Sequence, residues 1–259
     1  MYIPKEIMHI IKDQSYTIDH IGMSDSSILL FEDYVLKIQP YTPEAMNELV
    51  MMNWLEGKIN VRKIICFVLE NNTTYFLMSK IKGLMACDIS YLENSDKLVN
   101  LLVEGLKSLW SIAIEDCPSA ICLDKKLELA KYRVDHNLVD IEECDPNTFG
   151  SNGFETPLAL YQWLVENKPK EELVLSHGDF CLPNIFNHEE SINFIDIGRM
   201  GISDPWQDIA LCYRSLRDNM NGSFDGKVYD FNPELLFEKL GIVKDEAKLN
   251  YYLLLDELF

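Results

Sequence analysis

Residues 176–184, SHGDFCLPN, bring a histidine, an aspartate, a cysteine and an asparagine into nine positions, and Asp196 follows in NFIDIGR. Three chemistries draw on such side chains. Cys181 as a nucleophile would need His177 as its base, but Pro183 argues against a helix there and no third orienting group is evident. A zinc centre needs three or four soft or nitrogen ligands, and one His with one Cys is too few. The third reading uses the oxygens. Asp179 would orient a hydroxyl and take its proton, while the Asn184 amide oxygen and the Asp196 carboxylate hold Mg2+ against phosphates, because Mg2+ favours hard oxygen ligands.

Spacing favours that third reading. An Asp, an Asn five residues on, and later an Asp-x-Gly (Asp196 to Gly198) is the arithmetic protein kinases use for phosphoryl transfer. Upstream, Lys37 ends the strand-like run YVLK, where a phosphate-binding lysine belongs, and Glu48 sits in the following helical stretch, suited to hold that lysine by an ion pair.

The elements that must position these groups change in character along the chain. Residues 28–31 and 34–38 read as a hairpin about Glu32-Asp33, and residues 62–69 and 74–79 as a second across Asn71-Asn72. Between them PEAMNELVMMNWLEGK carries helix formers, with Pro43 near its start and Gly57 at its end. After residue 83 the pattern turns helical: Val99, Leu102, Val103, Leu106, Trp110 and Ala113 form an amphipathic stripe, ordinary core material. Residues 123–137 and 157–166 also read as helices, 144–154 as a loop and 192–196 as a short strand, with helices resuming at Asp208 and Pro233. The expected fold is α+β with two lobes and a cleft between them: residues 1–80 as the nucleotide-binding lobe, 81–84 as a hinge, and 85–259 as a mostly helical catalytic lobe.

Bulk properties narrow the partners. A net charge of −19 over 259 residues disfavours nucleic acid, whose phosphates need Lys and Arg, and suits a cationic ligand or solubility alone. Hydrophobic residues at 47% allow a real core in a chain of this length. The seven cysteines show no CxxC pair and are odd in number, which fits reduced thiols in a cytoplasm. No apolar run approaches membrane-spanning length.

SHGDFCLPNIF, FIDIGRMGISDPWQDIALCYRS and the closing YYLLLDELF resemble bacterial aminoglycoside phosphotransferases, specifically the 3′-phosphotransferases, and MMNWLEGK extends the resemblance into the first lobe. The resemblance implies a protein-kinase-like fold with an N-terminal antiparallel sheet plus helix. It implies ATP as phosphoryl donor (GTP is possible), Mg2+ as cofactor and an aminoglycoside antibiotic as acceptor at a hydroxyl, the 3′-OH above others. It makes Asp179 the catalytic carboxylate and Asn184 and Asp196 the Mg2+ ligands. Lys37 would contact the nucleotide phosphates, oriented by Glu48, with Gly22, Met23 and Ser24 in the loop above them. Ser79 and Ile81 would supply backbone bonds to adenine. Arg199, Asp218, Asp256, Glu257 and Phe259 with its carboxylate would fall on the aminoglycoside site, with the acidic loop Glu142, Glu143 and Asp145 as looser candidates. The protein would be a cytoplasmic monomer or weak dimer.

Some features depart from the pattern. GMSDSS replaces the kinase GxGxxG loop, so Ser24, Ser26 or Ser27 would contact phosphate. Val35 stands where some relatives stack an aromatic on adenine, which leaves ATP against GTP open. There is no APE motif, hence no peptide platform. His177 and Asp208 read as supports of the catalytic loop, and Cys181 and Cys212 as packing. Two rivals stand beside this reading. One is a kinase of another small alcohol, such as choline or an amino-sugar metabolite, although choline pockets favour aromatic cages over spread carboxylates. The other is a kinase-shaped binding protein without activity.

Overall fold

The computed structural model describes residues 1–12, 14–19, 26–151, 153–224 and 226–259. In chain order the N-terminal part runs α1 (Lys5–Ile11), β1 (Thr17–Asp19), β2 (Ser27–Leu30), β3 (Tyr34–Pro40), α2 (Pro43–Leu55), β4 (Asn60–Val61), β5 (Ile64–Glu70) and β6 (Thr73–Ser79). The remainder is β7 (Leu84–Met85), α3 (Ile89–Leu92), α4 (Ser95–Trp110), α5 (Leu123–Asp135), α6 (Pro157–Glu166), β8 (Val174–Ser176), β9 (Ile185–His188), β10 (Ser191–Phe194), β11 (Gly201–Ser203), α7 (Pro205–Met220), α8 (Leu235–Leu240) and α9 (Glu246–Asp256). The fold is α+β in two lobes.

The first sheet is antiparallel in the order β1-β2-β3-β6-β5. Both expected hairpins form. In the second, Glu70 pairs with Thr73, and the two intervening asparagines take the left-handed conformation (φ 50° and 60°) that a tight hairpin with right-twisted strands requires. The period of two along β3 sorts its faces. Leu36 joins a small outer core with Ile7 and Ile11 of α1, whereas Val35 and Lys37 point to the opposite, inward face alongside Phe76 and Met78 of β6. α2 begins at Pro43, a residue preorganised for a first helical turn, and Thr42 Oγ1 caps it by accepting from the Ala45 N–H at 3.0 Å. Its buried face carries Ala45, Glu48, Met51, Met52 and Leu55.

In the second lobe α4 supplies the central stripe, with Leu98, Val99, Leu102, Leu106 and Leu109 buried. The expected stripe ran on to Ala113, but the helix stops at Trp110 and Ala113 is exposed. There the chain has to turn towards residues 119–121, whose backbone pairs with Ile202 through Ser119 O and Ile121 N–H. β4 leaves the first lobe's sheet and runs parallel to β10, edging a second sheet of order β4-β10-β9-β7. Two further expectations shift. α7 starts at Pro205, not Asp208, because Asp204 caps it by accepting from the Trp206 N–H at 2.9 Å. β10 ends at Phe194, so Asp196 lies beyond the strand. Among the described residues no helix is long and apolar enough to cross a membrane.

Candidate active site

β8 delivers the chain into residues 177–184, and a buried carboxylate holds that loop from below. Asp208 on α7 is fully buried and accepts three hydrogen bonds: from Ser176 Oγ at 2.9 Å, the His177 N–H at 2.8 Å and the Gly178 N–H at 2.9 Å. Burial pushes its carboxyl up, while His177 and these donors pull the other way. Gly178 sits at φ +81°, and a Cβ there would lie 2.1 Å from the Arg199 carbonyl oxygen, so the residue before Asp179 must be glycine. His177 is buried, accepts the Asp179 N–H on Nδ1 at 3.3 Å and donates from Nε2 to Ile195 O at 3.1 Å. It ties the loop to the segment that carries Asp196.

Asp179 is half-buried. Asn184 Nδ2 donates to its Oδ2 and to its carbonyl oxygen, both at 3.0 Å. This fixes the amide with its oxygen turned away from Asp179. The Ile195 N–H donates to Asn184 O at 3.0 Å and brings the two segments together. Asp196 then adopts a left-handed backbone, φ 56° and ψ 51°, which a short polar residue tolerates and which turns its carboxylate off the sheet.

Lys37 closes the constellation across the lobes. Its ammonium lies 2.9 Å from Glu48 Oε2 and 2.8 Å from Asp196 Oδ1. Burial acts against its charge, but Glu48 and Asp196 outweigh burial and raise its pKa, so it is a fixed cation. Burial likewise opposes ionisation of Asp196, yet Lys37 outweighs that effect and holds the carboxyl below its usual range.

The donor set suits Mg2+. Among the described residues no cluster of three or more His, Cys, Asp or Glu side chains could hold a metal. What the site offers is one carboxylate and one amide oxygen, the sparse protein share of a Mg2+ ion whose other ligands are phosphate oxygens and water.

At the lobe junction, the Ser79 N–H and Oγ are engaged by Lys63 O and Lys63 N, both at 2.9 Å. The half-buried Ile81 N–H forms no hydrogen bond among the described residues. Gly22, Met23 and Ser24 lie outside those residues.

A chamber of about 620 Å3 opens between the 140–146 loop, α7 and the chain end, and Glu143, Asp145, Asp218, Asp256, Glu257 and Phe259 all line it. Of the acidic loop, Glu142 does not: it is exposed, with its N–H donating to Asp140 Oδ1 at 3.1 Å. Arg199 does not line this chamber; it lines a neighbouring one that shares Asp256 and Phe259 with it. Its Nε is 3.2 Å from Glu44 of α2, its Nη1 3.9 Å from Asp256, and its guanidinium lies 6.0 Å from the Phe259 ring centroid. Burial lowers its pKa, but Glu44, Asp256, Asp179 and Asp196 raise it by more.

Sequence reasoning passed over three basic residues here. Arg214 pairs with Asp256 and, at 3.4 Å, with Glu257; Arg217 pairs with Asp218 at 2.7 Å and Asp145 at 3.9 Å. Arg133 of α5 anchors the tail by donating to Leu258 O and Phe259 O, each at 2.8 Å. The signal available for the first two was their spacing in YRSLRD, one helical turn apart and abutting Asp218.

Comparisons with known proteins agree with this architecture. The model of the phosphotransferase enzyme family matches residues 21–230. An aminoglycoside 3′-phosphotransferase of Campylobacter jejuni is 36% identical over 84% of this chain and 82% of its own length. One of Staphylococcus aureus is 35% identical over 100% of this chain and 99% of its own. The structure of the aminoglycoside phosphotransferase APH(3″)-Id from Streptomyces rimosus in complex with ADP and streptomycin superposes with a TM-score of 0.78 at 20% identity, covering 97% of this chain and 95% of that one. The chain belongs to the phosphotransferase enzyme family, among the aminoglycoside 3′-phosphotransferases.

Proposed function

We propose that this enzyme moves the γ-phosphoryl group of ATP to a hydroxyl of an aminoglycoside, the 3′-OH before others, and so inactivates the antibiotic in the cytoplasm. The observation that carries the reading is the junction of two unlike sites. A lysine fixed between Glu48 and Asp196 stands beside the Asp179–Asn184 pair, and a chamber rich in carboxylates opens next to them. Phosphate chemistry needs the first, and a polycation needs the second.

Residues 1–80 act as the nucleotide lobe, 81–84 as the hinge and 85–259 as the catalytic lobe. The Ser79 carbonyl and the Ile81 N–H would offer the adenine edge an acceptor and a donor. Lys37, oriented by Glu48, neutralises phosphate charge. Asn184 and Asp196 would hold Mg2+, which would supply positive charge against the phosphates. Asp179 accepts a hydrogen bond from the substrate hydroxyl, aims its oxygen at the γ-phosphorus and takes its proton as the new O–P bond forms. The bond to the β-phosphate oxygen breaks, and ADP leaves with that electron pair. Asp145, Glu143, Asp218, Asp256, Glu257, Arg199 and the Phe259 end orient the sugar rings.

Incubation with Mg·ATP and kanamycin, followed by mass and NMR analysis of the drug, tests the reading. The expected product carries one phosphate, with the phosphorus coupled to the 3′ proton. An unmodified drug across a panel of aminoglycosides would overturn it.

A further inference from the structure

A second chamber shares Asp256 and Phe259 with the acidic one but lies between the first turn of α2 and the 119–129 region, and its chemistry is different. It encloses about 240 Å3, with a largely apolar lining that includes Ile121, Leu129 and Leu255. Two polar groups in its wall lack partners among the described residues. Lys126 of α5 is only 8% exposed, and its ammonium forms no hydrogen bond or ion pair among the described residues. Gln207 of α7 is 1% exposed, and its Oε1 is buried without a donor.

The carboxylates of this wall are already engaged. Glu44 faces Arg199 at 3.2 Å, and Asp256 is held by Arg214 and, more loosely, by Arg199. The neighbouring Lys125 pairs with Glu128 at 3.0 Å. Lys126 is thus a desolvated cation beside an apolar space with no carboxylate left for it. Burial brings its pKa down to about 8, with Arg199 adding to the fall and Asp256 opposing it. Such a group is costly until an anion meets it.

We propose that this chamber is a second small-molecule site, distinct from the aminoglycoside chamber, which takes a compound with an apolar body of about two fused rings and one anionic group seated on Lys126. The Gln207 Oε1 accepts a hydrogen bond from a hydroxyl or N–H on the same compound. Lys126, with Arg199 in the same wall and Glu44 and Asp256 already paired, disfavours a polycation there, so the two chambers flanking the chain end favour opposite charges.

The test is calorimetric titration of the full chain with 2-naphthalenesulfonate, beside its neutral analogue 2-naphthalenemethanol. Binding to the wild type is expected, roughly tenfold or more weaker for the neutral analogue and for Lys126→Met, since each removes a charge-assisted contact. Leu129→Trp fills the chamber from a side chain that is 39% exposed, so the fold tolerates it, and should abolish binding. Kanamycin affinity should stay within about twofold in both variants, which separates this site from the antibiotic-binding reading. No binding to the wild type, or equal binding to the wild type and both variants, would overturn the proposal. Displacement of the sulfonate by kanamycin, with Lys126→Met without effect, would also overturn it.

Discussion

The catalytic centre and the acidic chamber are both built from charged side chains, but they are held in different ways. In the centre the catalytic loop is fixed mainly through its backbone. Asp208 grips two consecutive N–H groups of the catalytic loop, His177 spans to Ile195, and Asn184 is bonded to both the carboxylate and the carbonyl of Asp179. In the chamber the carboxylates are held mainly by other long side chains. Arg214 and Arg217 reach across to Asp256, Glu257, Asp218 and Asp145, from side chains that are 29% and 40% exposed. The centre is organised for one geometry, whereas the chamber is organised for one sign of charge. An incoming ammonium must displace a guanidinium from carboxylates that are only 15% and 7% exposed, so these pairs are held more firmly than fully exposed ones, which contribute about 0.2–1 kcal/mol each.

The largest effect should come from the centre. Asp179→Ala should lower kcat by roughly a thousandfold, since a positioned general base contributes about 10^2–10^4, while nucleotide affinity measured by calorimetry stays within about twofold. Activity retained above a few per cent would mean that the fixed geometry serves another base. Next comes the support. Asp208→Asn puts an NH2 group against donors that now share a carboxylate, and should cost about 2–4 kcal/mol of stability, read from urea unfolding. A cost below about 0.5 kcal/mol would show that the loop holds its shape without Asp208.

The same contrast decides what could be read from the chain alone. Asp179, Asn184, Asp196, Lys37 and Glu48 were legible because phosphoryl transfer dictates both the residue types and the order of the elements that carry them, and the structure brings all five to one place. The hairpins were legible from Asn71-Asn72, whose left-handed backbones match their chemistry. The Arg214–Asp256 pairing was not, since it joins positions 42 apart and nothing local in the sequence ties one partner to the other. In LDKKLELAK two adjacent lysines look alike, yet Lys125 is exposed and ion-paired while Lys126 is buried and unpaired. Helical phase places that difference, and short stretches leave the phase open. The left-handed turn at Asp196 was hidden because NFID continues a strand pattern until tertiary contacts end it.

A chamber that selects by charge should also be sensitive to salt. Replacing both Asp256 and Glu257 by their amides should raise the aminoglycoside KM about 10- to 100-fold, with kcat and the ATP KM each within about threefold. Adding salt should raise the wild-type aminoglycoside KM and change the ATP KM less, because Lys37 and Glu48 are buried and their pair is poorly screened. Steady-state kinetics at several ionic strengths would show both. Equal salt dependence for the two substrates would erase the distinction between the regions.

The smallest effect concerns Lys126, which belongs to neither arrangement because it is buried like the centre's groups yet unpaired. Its pKa falls from the ordinary 10.5 to about 8, with burial as the main cause. Below pH 8 the ammonium is charged in both folded and unfolded chains, and the folded state bears the full cost of burying it. Between about pH 8 and 10.5 the folded protein has released the proton while the unfolded chain still binds it. The unfolded state then holds more protons, so wild-type stability rises with pH across that window. The shift bounds the cost at roughly 3 kcal/mol, and part of it returns through lost packing and residual solvation. Lys126→Met should therefore be more stable than wild type by about 1–2 kcal/mol at pH 7, with the advantage shrinking to nothing near pH 10.5. Urea unfolding of both proteins at pH 7, 9 and 10.5 reads this directly. An advantage independent of pH would trace the gain to packing and leave the buried charge without a cost.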